Sequence, residues 1–233
     1  MADPRGRTAF YAARPGGWRD WWTLLHPPYT AWHLGYVAIG AALAPHLDGV
    51  RLGATVLAFF LAMGIGAHAL DELHGHPLQT RIPDRVLVAA SAIGVLGAVA
   101  LGIAGLSRVG DALIPFIVLG PVLVVAYNLE LFGGRFHTDV WFAVAWGALP
   151  LLAAFFAAAE EVRWEGVVAA LAAALISYAQ RRLSTPVRLV RRGASELSST
   201  ARETLVRGPE DALRALAAGV VCLAIALVLV RTG

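Results

Sequence analysis

The sequence predicts an all-α polytopic membrane protein, a bundle of about seven transmembrane helices with a cytoplasmic N-terminus. Three observations predict it. Of 233 residues, 58% are apolar and 15% charged. The mean hydropathy is +0.65, and several apolar runs approach the ~20 residues that an α-helix needs to cross ~30 Å of hydrocarbon. A large soluble domain is excluded.

In chain order the runs occupy residues 29–44, 52–70, 86–106, 112–131, 140–159, 164–179 and 212–230, each bounded by charge, glycine or proline. The first and sixth are short, so flanking amphipathic turns extend them or they tilt little. Residues 1–28 form a cytoplasmic or interfacial segment. They lack the continuous apolar stretch of a signal peptide, and Trp18, Trp21 and Trp22 suit headgroup depth. Residues 29–233 make the bundle. Within it, 181–208 is the longest polar stretch. Its Leu183, Val187, Leu189, Val190, Leu197 and Leu205 fit one or two short amphipathic helices on the cytoplasmic surface. Gly208-Pro209-Glu210-Asp211 then predicts a break and a new helix start. Gly64, Gly66, Gly94, Gly97, Gly102 and Gly105 permit close approach between helices.

All 19 basic residues are arginine, for a formal charge of +3. Without lysine there is no retinal Schiff base, no pyridoxal phosphate attachment and no lysine nucleophile. The single cysteine, Cys222, excludes an internal disulfide or a cysteine-based zinc site. Arginine placement predicts the orientation. Arg5, Arg7, Arg14 and Arg19 precede the first run, Arg81 and Arg85 follow the second, and Arg135 follows the fourth. Arg181, Arg182, Arg188, Arg191, Arg192, Arg202 and Arg207 follow the sixth, all on one side. The other side holds only Arg51, Arg108, Arg163 and Arg231, with the acidic Glu160, Glu161 and Glu165. The arginine-rich side is expected in the cytoplasm, and the protein in the cell inner (plasma) membrane as a multi-pass chain.

Ionisable groups at membrane depth are costly, so where they gather is the functional signal. They gather on the arginine-rich side. The second run ends in His68, Asp71 and Glu72, followed by His74, His76 and Arg81; offsets of three and four place His68, Asp71 and Glu72 on one helical face. The fourth ends in Tyr127, Asn128 and Glu130, followed by Arg135, His137 and Asp139. Such imidazoles and carboxylates can bind a divalent cation, and neighbouring arginines can bind phosphate. His74 and His76 fit simple solvation as well, His33 fits a hydrogen-bonded packing residue, and His26 before Pro27-Pro28 fits a turn. A di-iron histidine-box site usually needs about eight histidines; this chain has seven, with His33 and His46 badly placed.

These features together resemble the UbiA-type intramembrane prenyltransferase superfamily. Leu24-Leu25-His26-Pro27-Pro28 resembles the approach to that family's first helix. Gly66-Ala67-His68-Ala69-Leu70-Asp71 through Gly75 resembles its first aspartate-rich motif. Tyr127-Asn128 through Gly134-Arg135, and then Gly147-Ala148-Leu149-Pro150, resembles its tyrosine-and-basic loop and the helix beyond. About two thirds of the chain is covered. The resemblance implies a helical bundle that joins a polyprenyl diphosphate to an acceptor with magnesium. The chain departs from it where Ala67 and His68 replace Asn and the first Asp, and where Ser177-Tyr178-Ala179-Gln180-Arg181-Arg182 offers no carboxylate at the second motif. It also has seven runs where the family has nine.

Three functions follow as expectations. The first is an enzyme acting on an isoprenoid diphosphate or related lipid, by prenyl transfer or cyclisation. In it Asp71, Glu72, Tyr127 and Asn128 are catalytic, and Arg81, Arg135, Arg181 and Arg182 bind the substrate. Magnesium is the metal expected there, held by Asp71 and Glu72 with His68. The second is a metalloenzyme with a mixed site of His68, Asp71, Glu72, His74, His76, Glu130, His137 and Asp139, ligands that suit zinc, iron or manganese better than magnesium. The third is a non-catalytic lipid-binding or transport protein. Membrane lipid or isoprenoid is the expected partner, and nucleic acid is not.

Overall fold

The protein, a computed structural model, describes residues 9–193 and 198–233. The described residues form helices and no strand. Arg5, Arg7 and Leu197, which entered the reading of orientation and amphipathicity, lie outside them.

Helix α1 (Trp18–Leu24) begins where Asp20 accepts the Gly16 N–H at 3.0 Å, and its tryptophans are exposed, Trp18 by 70%. His26, in the left-handed region at φ 46°, turns the chain into α2 (Pro27–Leu43), whose two prolines preset the first turn. Asp48 caps α3 (Gly49–Leu73) by accepting the Arg51 and Val50 N–H groups, which hold its carboxyl below the usual range. The middle of α3, Phe60–Ala67, is π-helical. Helix α4 (Asp84–Val109) ends at Gly110, φ 91°, and α5 (Asp111–Asn128) at a run of left-handed residues including Glu130, Gly133 and Gly134. Helix α6 (Asp139–Ala159) is capped by Thr138 and carries a second π-helical segment, Ala143–Ala148. Helices α7 (Trp164–Gly193) and α8 (Ser199–Thr232) complete the chain.

Helix α2 lies at the centre, packed on α6 and α8, with Trp32 and Tyr36 buried against Leu151, Ala173, Leu213 and Val220. Glycine sets the closest approaches. A Cβ on Gly40 would overlap the Leu151 carbonyl, and one on Gly147 would stand 2.6 Å from the Ala173 carbonyl of α7.

Among the described residues five helices are long and apolar enough to cross a membrane: Gly49–Leu73, Asp84–Val109, Asp111–Asn128, Asp139–Ala159 and Thr200–Thr232. Of the seven runs expected, five are such helices. The two that fall short are the two short runs. Helix α2 has only 17 residues, with Thr30 and His33 buried among neighbouring helices, and α7 carries Gln180, Arg181 and Arg182 along its continuous course. The break expected at Gly208-Pro209 is also corrected, since α8 runs through Pro209. Glu210, buried there, accepts from Arg191 of α7 at 2.7 Å and ties the two helices together across that point.

Candidate functional site

A polar cavity of about 110 Å³ lies where α2 and α6 begin and α3 and α5 end. Helix α7 forms a further wall, and residues 9–11 close over it from the N-terminal side.

Three histidines around it have one ring nitrogen fixed by the backbone. His33 Nδ1 lies 2.7 Å from the Trp146 carbonyl, His68 Nδ1 3.1 Å from the Gly64 carbonyl, and His137 Nδ1 3.0 Å from the Tyr127 carbonyl. A carbonyl only accepts, so each Nδ1 carries the proton. The Trp146 and Gly64 carbonyls belong to the two π-helical segments, whose widened turns bring backbone oxygens within reach of side chains. His26 meets His68 edge to face at 4.1 Å.

Helix α7 supplies the cations. Arg181 Nη2 donates to His137 Nε2 at 3.1 Å and Nε to Asp139 at 3.4 Å, while the guanidinium lies over the Tyr127 and Phe142 rings. Arg188, two turns on, also lines the cavity. Two buried polar atoms on the wall have no hydrogen-bond partner among the described residues: the Tyr127 hydroxyl and Gln180 Oε1, on residues only 5% and 3% exposed. Buried polar groups are nearly always paired, so these two atoms, sealed behind the cavity lining, are unmet hydrogen-bonding capacity.

Of the residues expected from sequence, His68, Asp71, Tyr127, Asn128, His137 and Arg181 are brought together here. Glu72 turns away. It is fully buried, and its carboxylate accepts from the Leu78 N–H at 2.9 Å and from the Thr80 N–H and hydroxyl at 2.8 and 2.9 Å, fastening the loop after α3. His74 and Glu130 stand 4.0 Å apart beside the cavity rather than on it. Asp139 is held between Arg181 and Arg182, and Arg81, Arg135 and Arg182 are exposed.

Glu72 and Asp139 have their oxygens engaged, and among the described residues no three His, Cys, Asp or Glu side chains are grouped to hold a metal ion. The arginines are the charges this cavity offers an anion.

Sequence reasoning missed His26, Tyr29, His33, Gln180, Ser184, Arg188 and Glu210, all on the cavity wall. A signal existed for α7. Ser177, Gln180, Arg181, Ser184 and Arg188 recur at three- and four-residue intervals, one polar face of a helix that continues past residue 179. No comparable signal marks His33.

A second cavity, about 250 Å³ and apolar, lies toward the opposite end between α3, α4, α5 and α6, with Arg51 and Arg108 on its lining. The two share one packed cluster. Met63, Val124 and Ala145 of that cluster face the apolar cavity, while Tyr127 and Trp146, 4.5 Å apart, face the polar one. Comparison with protein-family models, curated proteins and solved structures finds no match to this chain.

Proposed function

We propose that the chain is a UbiA-like enzyme of the inner membrane. It would seat the anionic head of an isoprenoid diphosphate or related lipid in the polar cavity, for prenyl transfer or cyclisation. The bundle crosses seven times with its N-terminus in the cytoplasm. Helices α2 and α7 cross despite their lower apolarity because neighbouring helices shelter their polar faces.

The observation that carries this reading is the polar cavity itself, with Arg181 and Arg188 beside two orphaned buried polar atoms. The apolar cavity behind the Tyr127 and Trp146 wall gives the tail a place of matching polarity. In the reaction the allylic C–O bond breaks and its electron pair leaves with the diphosphate, where the guanidiniums meet the growing charge. The allylic cation left behind faces the rings of Tyr127, Phe142 and Trp146. Attack by an acceptor, which then gives up its own proton, or loss of a proton after ring closure, completes the turnover.

Titration of the purified full chain in detergent with farnesyl diphosphate and with farnesol tests this. The diphosphate is expected to bind at least about tenfold tighter, with Arg188→Gln removing most of the difference, and diphosphate release is expected on incubation. Equal binding of the two would remove the head-recognition reading, and binding without release would remove catalysis.

A further inference from the structure

Residues 9–17 belong to no helix and run across the mouth of the polar cavity, with Ala9, Phe10 and Tyr11 on its lining. They are tied down on both sides. Toward α1, the Ala13 N–H donates to Thr23 Oγ1 at 3.0 Å, and Trp22 Nε1 donates to the Tyr11 carbonyl at 3.2 Å. Toward α8, the Arg214 guanidinium lies 4.7 Å from the centre of the Phe10 ring. Between these ties Phe10 meets Tyr29, and Tyr11 meets His26, edge to face at 6.1 and 5.0 Å. Beneath them His33, Tyr127, Asn128 and Val187 of the cavity wall are each 6% exposed or less.

This strap joins a fixed element through a hinge. Helix α1 is fastened by Thr23 and Leu24, both buried, whereas Gly16 and Gly17 connect it to the strap at φ 129° and 62°. Gly17 combines φ 62° with ψ −136°, a conformation open in practice to glycine alone. A Cβ on either glycine would meet no atom within 4 Å, so the demand for glycine comes from the backbone angles and not from crowding. A segment with a few ties, no helix of its own and a two-glycine joint opens at far lower cost than the packed helices beside it.

We infer that residues 9–15 are a hinged strap, which closes the polar cavity over its occupant and swings about Gly16-Gly17 to admit and release it. An anion held by Arg181 and Arg188 then lies beneath Phe10 and Tyr11, shielded from water while it is bound. Such a strap gates the cavity whatever anion it takes.

Thiol modification tests this. In the full chain carrying Cys222→Ser, a reporter substitution Val187→Cys lies on the cavity wall, and its reaction with the small neutral reagent methyl methanethiosulfonate is timed in detergent. Gly17→Ala penalises only the closed backbone, and Thr23→Val removes the acceptor of the Ala13 N–H while keeping the shape of α1; neither residue lines the cavity. Each is expected to speed modification of the reporter about tenfold, because the closed strap loses the backbone fit or the hydrogen bond that holds it. A second reporter, Thr55→Cys in the apolar cavity, should react at the same rate with and without them. An unchanged rate at Val187→Cys in either variant overturns the strap, since the cavity is then reached by another route. Equal acceleration at Thr55→Cys overturns it too, since the variants are then loosening the whole bundle.

Discussion

The two ends of the bundle use arginine in opposite ways. At the end bearing the apolar cavity, Arg51 pairs with Glu160 at 2.6 Å and donates to the Ala157 and Arg108 carbonyls, and Arg231 donates to the carbonyls of Ala44 and Pro45. These guanidiniums close off the final carbonyls of α2, α4 and α6, groups that a helix end leaves without intrahelical partners. At the other end Arg181 and Arg188 stand on a cavity whose wall still holds an unpaired hydroxyl and an unpaired amide oxygen. One end is saturated and the other is not. Unmet hydrogen-bonding capacity therefore separates the two ends better than charge does, since arginine is present at both.

The largest expected effect tests whether Glu72 belongs with the fastenings, although it sits beside Asp71 at the cavity end. Glu72→Ala leaves three donors of the 78–80 loop without their buried acceptor. It should cost about 3 kcal/mol, measured by thermal or denaturant unfolding in detergent. Should Glu72→Ala unfold like the wild type but lose affinity for inorganic diphosphate, Glu72 would move to the binding side of the comparison.

A smaller effect is expected at the saturated end. Arg231→Gln releases the end of α8 from the end of α2 and should cost about 1 kcal/mol, because its donors act at an exposed site. Affinity for inorganic diphosphate should not change. A loss of that affinity would mean that the two ends are coupled.

The difference between the ends was only half legible in the sequence. Composition and run length sufficed for an all-α membrane chain, and the crowding of polar groups at the ends of α3 and α5 marked Asp71, His68, Tyr127 and His137. Glu72 was misplaced because adjacent helical residues diverge by about 100°, and its partners are backbone N–H groups that leave no trace in residue identity. His33 was undervalued for a similar reason. Its role depends on a carbonyl 113 residues away, brought into reach by a π-helical segment that no local pattern predicts. Gln180 and Arg188 were legible in principle and were lost when the sixth run was closed at residue 179, on the assumption that polarity ends a helix. Here α7 carries its polar face onward and lines the cavity with it.

The smallest expected stability effect bears on the unsaturated end most directly. The Tyr127 hydroxyl is buried and without a hydrogen-bond partner among the described residues, while its ring stacks on His137 at 4.5 Å and packs on Trp146 at the same distance. Tyr127→Phe keeps the ring and removes only the hydroxyl. An ordinary buried tyrosine would lose about 1 kcal/mol with its hydrogen bond, but a hydroxyl without a partner among the described residues has none of those to lose. Unfolding should therefore shift by less than about 0.5 kcal/mol in either direction, and burying one fewer unpaired polar group favours a slight gain. On the proposed function, in which the bound head pairs that hydroxyl, affinity for inorganic diphosphate should nonetheless fall by about threefold to tenfold. A stability loss of 1 kcal/mol or more with unchanged affinity would show that the hydroxyl is satisfied within the protein, and Tyr127 would then stand with Arg51 and Arg231 as part of the frame.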